Sequence, residues 1–369
     1  MLFALTLGAA VVAITLLAPP RPASGDTAAV GRLAAACDPT DPESCLYSSD
    51  LTFDVGIVNG VSLTDPARSD YEIPLVIRYP LLTTVESRPV VIWNHGGAPS
   101  ARGATRSAEW GNLLAAAGYV VIHPARPPLT DPTPLRAECE ANGVLEPDQC
   151  SQFIAQVIYG PQTTHFLIDH LADVAALDPA LAGLLDGARI VVAGHSAGST
   201  VALANAGARQ QFVDDGPVYD ERNDTPIAFL ATGVQGPMYA GFQSGFQPAD
   251  PASGSAVDSF GGIDRPFMFI TGVGDETGEP PESRTAAWQT AQGNGYLYLS
   301  WDTDRRAVHE TMDIDKCDTA TRSDHCRWIG SAGLAFLDAV VRLRPEAQQR
   351  LDSDAYRILT GGAIELHHR

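Results

Sequence analysis

Gly194-His195-Ser196-Ala197-Gly198 is the stretch whose residue types most directly imply chemistry. It fits G-x-S-x-G, in which a serine sits on a sharp strand-to-helix turn and presents its hydroxyl, while glycines let the helix pass close to the strand. The bare pattern is weak, but its context agrees. Arg189 to Ala193 reads as a buried strand running into the motif, and Val201 to Ala204 as a helix behind it. A serine hydroxyl is a poor nucleophile, so this chemistry needs a base and an orienting acid, in the chain order Ser, Asp or Glu, His. The apolar run Arg265 to Gly272 ends in Val273-Gly274-Asp275-Glu276, which nominates Asp275 as the acid and Glu276 as its rival. The next strand, Tyr296 to Trp301, is followed by His309, the expected base. His325 is the runner-up, inside a loop bounded by Cys317 and Cys326. Acyl transfer also needs donors aimed at an oxyanion. The strand Val90 to Trp93 ends in Asn94-His95-Gly96-Gly97-Ala98, so the backbone N–H groups of Gly97 and Ala197 are the expected pair, with His95 bracing the loop.

Positioning these groups takes a set of buried strands joined by helices. Tyr71 to Tyr79, Pro89 to Trp93, Tyr119 to His123, Arg189 to Ala193, Ile227 to Thr232, Phe267 to Thr271 and Tyr296 to Trp301 read as strands, several of them nearly all apolar. Such strands are buried on both faces. Trp110 to Ala117, Phe153 to Ala176, Thr200 to Gln210 and Ser331 to Arg342 read as the crossover helices. The expected class is therefore α/β, a mostly parallel, doubly wound sheet of about eight strands with helices on both faces. Ala125 to Cys150, Phe212 to Pro226 and Gly236 to Gly262 fit neither period and read as loop insertions, the last a candidate lid over the strand ends.

Composition narrows the partners. The 369 residues carry 24 basic and 44 acidic side chains, a formal charge of −20, with 45% hydrophobic residues and 18% charged. That excludes a disordered chain and argues against nucleic acid, since Lys316 is the lone lysine and the arginines are scattered. The apolar run Leu2 to Ala18, followed by prolines and Ala23-Ser24-Gly25, reads as a signal peptide over residues 1–25, with an uncleaved anchor as the alternative. Residues 26–50 read as an N-terminal arm or linker and 51–369 as one catalytic domain. Six cysteines fall in three close pairs, Cys37 with Cys45, Cys139 with Cys150 and Cys317 with Cys326, which suit local disulfides in an exported protein.

Metal chemistry is not expected. The acidic residues Asp302, Asp304, Asp313, Asp315 and Asp318 lack the glycine and terminal glutamate of a calcium loop and read as a solvated face. His123, His165 and His170 have no ligand spacing, and His367 and His368 read as tail. Trp110, Tyr239, Phe242, Phe246 and Trp288 could line an acyl pocket, although aromatics more often pack cores.

The run from Val90 to Pro124, with its HGG loop at His95 to Gly97, the run Gln162 to Gly207 containing the serine motif, and Ser259-Phe260 through Ile263-Asp264-Arg265-Pro266 to Gly272 and Asp275 together resemble serine α/β-hydrolases of the dienelactone hydrolase and platelet-activating-factor acetylhydrolase type. The resemblance covers most of the chain beyond Leu51 and implies an α/β-hydrolase fold acting on esters. Dienelactone hydrolases proper use cysteine, so Ser196 points instead to serine carboxylesterases. The expectation is a secreted or periplasmic carboxylester hydrolase for a small-molecule or lipid-like ester, working through Ser196, His309 and Asp275 without a cofactor. A peptidase or amidase with the same three residues, and a catalytically silent binding protein on the same fold, are the alternatives.

Overall fold

The computed structural model describes residues 37–129, 133–144, 146–211, 216–234, 260–275, 284–301, 308–317 and 320–369. The leader, Glu276, and all but the last three residues of the insert expected over Gly236 to Gly262 lie outside them.

The chain is a mixed α/β protein built on a nine-stranded sheet. Its strands are β1 (Val55–Asp65), β2 (Tyr71–Pro80), β3 (Arg88–Asn94), β4 (Val120–Pro124), β5 (Leu185–His195), β8 (Ala228–Thr232), β9 (Phe267–Gly272), β10 (Gly295–Ser300) and β11 (Ile364–His368). A separate two-stranded ribbon joins β6 (Arg209–Gln211) to β7 (Val218–Asp220). The order is β1-β2-β4-β3-β5-β8-β9-β10-β11, parallel from β4 through β10 and antiparallel at both flanks. Because β3 has β4 on one side and β5 on the other, the winding reverses at β3, the point at which open α/β sheets place ligands beyond the carboxyl ends of their strands.

Each central strand feeds two cores. On β3, Val91 and Trp93 face one core while Val90 and Ile92 face the other. The first is closed by helices α1 (Ala108–Ala116), through Trp110 and Leu114, and α4 (Ala320–Val340), through Ile329, Phe336 and Leu337. The second is closed by α2 (Tyr159–Asp169), through Leu167 and Ile168, and α3 (Ala197–Ala206), through Ala202 and Leu203.

Four strands escape the sequence reading. β6 and β7 are short pieces, one at the end of the run expected as a helix over Thr200 to Gln210 and one within the loop expected over Phe212 to Pro226. In the main sheet, β1 and β11 escape because both are sheet edges. β1 is half exposed and broken by a register shift between Val58 and Val61, around Asn59-Gly60, which erases its alternation. β11 turns the expected tail into a strand that pairs antiparallel with β10, His368 opposite Tyr296. The sheet therefore has nine strands rather than eight.

Helix boundaries differ for local reasons. The run expected as one helix over Phe153 to Ala176 is divided, with a π turn at Ile154–Ile158 and a break at His170. Pro161 has no N–H to return to Val157, which relaxes the ladder there. α3 starts at Ala197 and stops at Gly207, whose φ of 117° ends the helix short of Gln210.

All three expected disulfides form, Cys37–Cys45, Cys139–Cys150 and Cys317–Cys326. They fit an oxidising compartment, and no helix among the described residues is long and apolar enough to cross a membrane. The described part of the arm is docked rather than free. Tyr47 exchanges hydrogen bonds with Ser331 of α4 and donates its hydroxyl to Asp338 at 2.8 Å.

Candidate active site

Ser196 occupies the junction of β5 and α3 with φ 55° and ψ −121°. A non-glycine residue held at positive φ carries strain of about 1–3 kcal/mol, sustained only where surrounding contacts impose it. Here the Ser196 N–H is fixed to the Thr232 carbonyl of β8 at 2.9 Å. The flanking glycines are required by space, because a Cβ at Gly194 would lie 2.3 Å from the Gly198 carbonyl oxygen, and one at Gly198 would lie 1.9 Å from that of Asn94.

Asp275 follows β9, and His309 opens a short 3₁₀ turn, His309–Asp313, after β10. The three side chains meet at the carboxyl edge. His309 Nε2 lies 2.7 Å from Ser196 Oγ, and His309 Nδ1 lies 2.8 Å from Asp275 Oδ2. A carboxylate accepts only, so Nδ1 carries the proton and the Nε2 lone pair faces the serine hydroxyl.

Arg284 went unnoticed in the sequence. Its Nη1 donates to the same Asp275 Oδ2 at 3.0 Å and to the Val234 carbonyl at 3.1 Å, and both side chains of the ion pair are fully buried. The guanidinium gives the carboxylate a buried counter-charge. A single arginine nine positions downstream, in a polar stretch without periodicity, left no pattern to read.

His195, the variable position of the serine motif, knits the loops together. Its Nε2–H donates to the His309 carbonyl at 2.9 Å, and the two rings lie 4.8 Å apart. Gly96 and Gly233 pack on this ring, since a Cβ at either would come within 3.0 Å of an imidazole nitrogen. Burial pushes the His195 pKa down to about 3, which keeps the ring neutral.

Asp313 lies 3.9 Å from His195 Nδ1 and accepts from Ser107 Oγ. Burial raises its pKa to about 7, with Asp315 adding to the shift and Ser107 opposing it. With His195 titrating near 3 and Asp313 near 7, the two are never charged together, so the contact is not an ion pair. Asp315 accepts from the N–H groups of Ala108 and Glu109 at the start of α1. These two carboxylates are therefore working acceptors rather than members of a solvated face. Asp302, Asp304 and Asp318 lie outside the described residues.

The loop after β3 runs beside the serine. A Cβ at Gly96 would lie 3.1 Å from Ser196 Cβ, and Gly97 has φ 74°. Ala197 is the first residue of α3, where an N–H has no acceptor within the helix. His95 is buried. Its Nδ1–H donates to the Gly96 carbonyl at 2.9 Å, its ring rests on Gly103, and desolvation holds its pKa well below the usual range.

The other histidines and aromatics are structural. His325 is buried in α4, edge-on to Trp328 at 4.8 Å. His165 and His170 bond backbone carbonyls, and His123 is buried against Gly111. No cluster of metal-ligating side chains occurs among the described residues. Trp110 stacks on Trp93 and donates to the Met312 carbonyl, while Trp288 packs edge-on to Phe267. Tyr239, Phe242 and Phe246 lie outside the described residues. Arg265 of the Ile263-Asp264-Arg265-Pro266 stretch is a brace, donating to the Asn223 and Pro226 carbonyls at 2.5 and 2.9 Å.

Chemically, the site can deprotonate a hydroxyl while it attacks an electrophile, and can hold the resulting imidazolium against a buried carboxylate. No protein-family model and no curated protein matches this chain.

Proposed function

We propose that the protein is an exported serine carboxylester hydrolase of the α/β-hydrolase type. The observation that carries this reading is the continuous chain from Ser196 Oγ through His309 to Asp275, at 2.7 and 2.8 Å, with the serine on a strained strand-to-helix turn. A structural serine needs neither the strain nor the oriented imidazole. The placement of a glycine loop after the third strand and of the triad in the order Ser, Asp, His supports the same fold type.

In this mechanism Ser196 Oγ attacks the ester carbonyl carbon as His309 Nε2 takes its proton. The carbonyl π electrons move to oxygen, and the N–H groups of Gly97 and Ala197 stabilise that oxyanion. Collapse breaks the bond to the alkoxy group, which leaves as the alcohol with the proton from His309. Water then attacks the acyl-enzyme by the same route, releasing the acid and restoring Ser196. Asp275 stays ionised throughout, fixing the Nδ1–H tautomer and balancing the imidazolium.

The test is a fluorophosphonate probe together with p-nitrophenyl esters from two to sixteen carbons and matching peptide anilides. Labelling at Ser196 with ester turnover is expected. Faster anilide cleavage would make the protein a peptidase or amidase, and absence of both turnover and labelling would make it a silent hydrolase-fold binding protein.

A further inference from the structure

We infer that Arg106 is a positioning residue that aims the Gly97 N–H at the oxyanion; the inference rests on the ester-hydrolase reading. Arg106 Nη1 donates to the Gly96 carbonyl at 2.6 Å and to that of Ala98 at 3.3 Å. In a trans peptide the carbonyl of one residue and the N–H of the next point to opposite sides, and the described chain contains no cis peptide. Holding the Gly96 oxygen therefore turns the Gly97 N–H away from Arg106. His95 Nδ1–H reaches the same oxygen at 2.9 Å, so two donors fix this one peptide. A charge-assisted bond to the carbonyl also polarises the amide and makes its N–H a better donor.

The same device recurs one peptide earlier. Arg126, fully buried, donates Nη2 to the His95 carbonyl at 2.5 Å, while its Nε and Nη1 have no partner among the described residues. Burying a guanidinium without a carboxylate is costly, which is unexpected unless the loop it holds has a demanding geometry. Burial lowers its pKa only to about 10, so it remains a cation at neutral pH. The glycines answer to the arginine as well, because a Cβ at Gly97 would lie 2.9 Å from Arg106 Nη1. Arg106 is exposed, so its substitution leaves the core intact.

The experiment compares wild type, Arg106→Met and Arg106→Lys on p-nitrophenyl acetate, with active sites counted by fluorophosphonate. An alkyl boronic acid, which forms a tetrahedral adduct on Ser196, reports oxyanion binding directly. Arg106→Met is expected to lower kcat about 10- to 100-fold with KM within about twofold, and to weaken the boronic acid by a similar factor. Arg106→Lys should recover part of both, since an ammonium can still donate to the Gly96 carbonyl. A kcat within about threefold of wild type, a loss confined to KM, or unchanged boronic acid affinity overturns the inference while the hydrolase reading stands. An inactive, unlabelled wild type removes both.

Discussion

The carboxyl edge of the sheet and the groove between α1 and α4 differ in what fills them. The groove has a volume of about 800 Å³ and is lined by Leu46, Leu51, Leu113, Ile314 and Leu334, with the Cys317–Cys326 bridge at one side. It is roomy and apolar. At the edge around Ser196, polar side chains from beyond three strands converge, with two glycines packed on His195 to bring the loops close. The groove offers volume, whereas the edge offers convergent, oriented polar groups, the feature on which the proposed chemistry rests. Part of the groove's polar lining is already committed, since Tyr47 donates its hydroxyl to Asp338 and Ser331 exchanges hydrogen bonds with the Tyr47 backbone. Asp315, on the groove wall, is likewise spent on the start of α1.

Substitutions can break this contrast. The largest effect is expected from Ser196→Ala, which should lower ester hydrolysis by about 10⁴-fold or more while thermal unfolding stays close to wild type. Retained turnover would move the nucleophile elsewhere. Asp275→Asn should cost about 10⁴-fold in kcat and, unlike Ser196→Ala, should also lower stability, because it breaks the buried ion pair with Arg284. Denaturant titration separates the two, and an unchanged midpoint would mean the guanidinium does not depend on that carboxylate. Leu334→Ala in the groove should do the reverse, costing roughly 2–4 kcal/mol with kcat per labelled site unchanged. A selective loss of turnover there would give the groove a part in catalysis.

The smallest effect sharpens the boundary between the two regions, where Asp313 sits. Its folded pKa of about 7 lies above the ordinary unfolded value near 3.9, so the folded state holds a proton that the unfolded state releases in between. Stability from this group is full below about pH 4 and is lost as pH rises through 7. Asp313→Asn cannot titrate. Its melting temperature should therefore gain on wild type between pH 5 and pH 8, and parallel pH curves would contradict the burial of this carboxyl.

The central strands and the serine motif were legible because their signals are local. Apolar runs of five to six residues mark the parallel core, and the glycines around Ser196 mark a close crossing. Asp275 and His309 could be nominated because each follows such a strand. What escaped depends on distant partners. Arg284 acquires its role only when β9 and the segment after it fold together, and Arg106 only when the loop beyond β3 turns back on Gly96. β1 and β11 escaped for the opposite reason, as edges face water and lose the pattern that betrays a buried strand. Asp313 and Asp315 looked like surface charge because sequence records acidity but not the hydroxyl and amide donors 206 and 207 positions away.

The spacing of the disulfides bears on how the chain reaches its fold. The bridged cysteines are 8, 11 and 9 residues apart, whereas the nearest non-native partners, Cys45 and Cys139, are 94 apart (139 − 45). Loop closure grows with the logarithm of length, so a tenfold longer loop costs about 2 kcal/mol more to close. Each correct bridge is then favoured before any strand has paired. A chain threaded through a translocation pore from its amino end could oxidise every pair as it emerged, in order, with little need for an isomerase to undo mistakes.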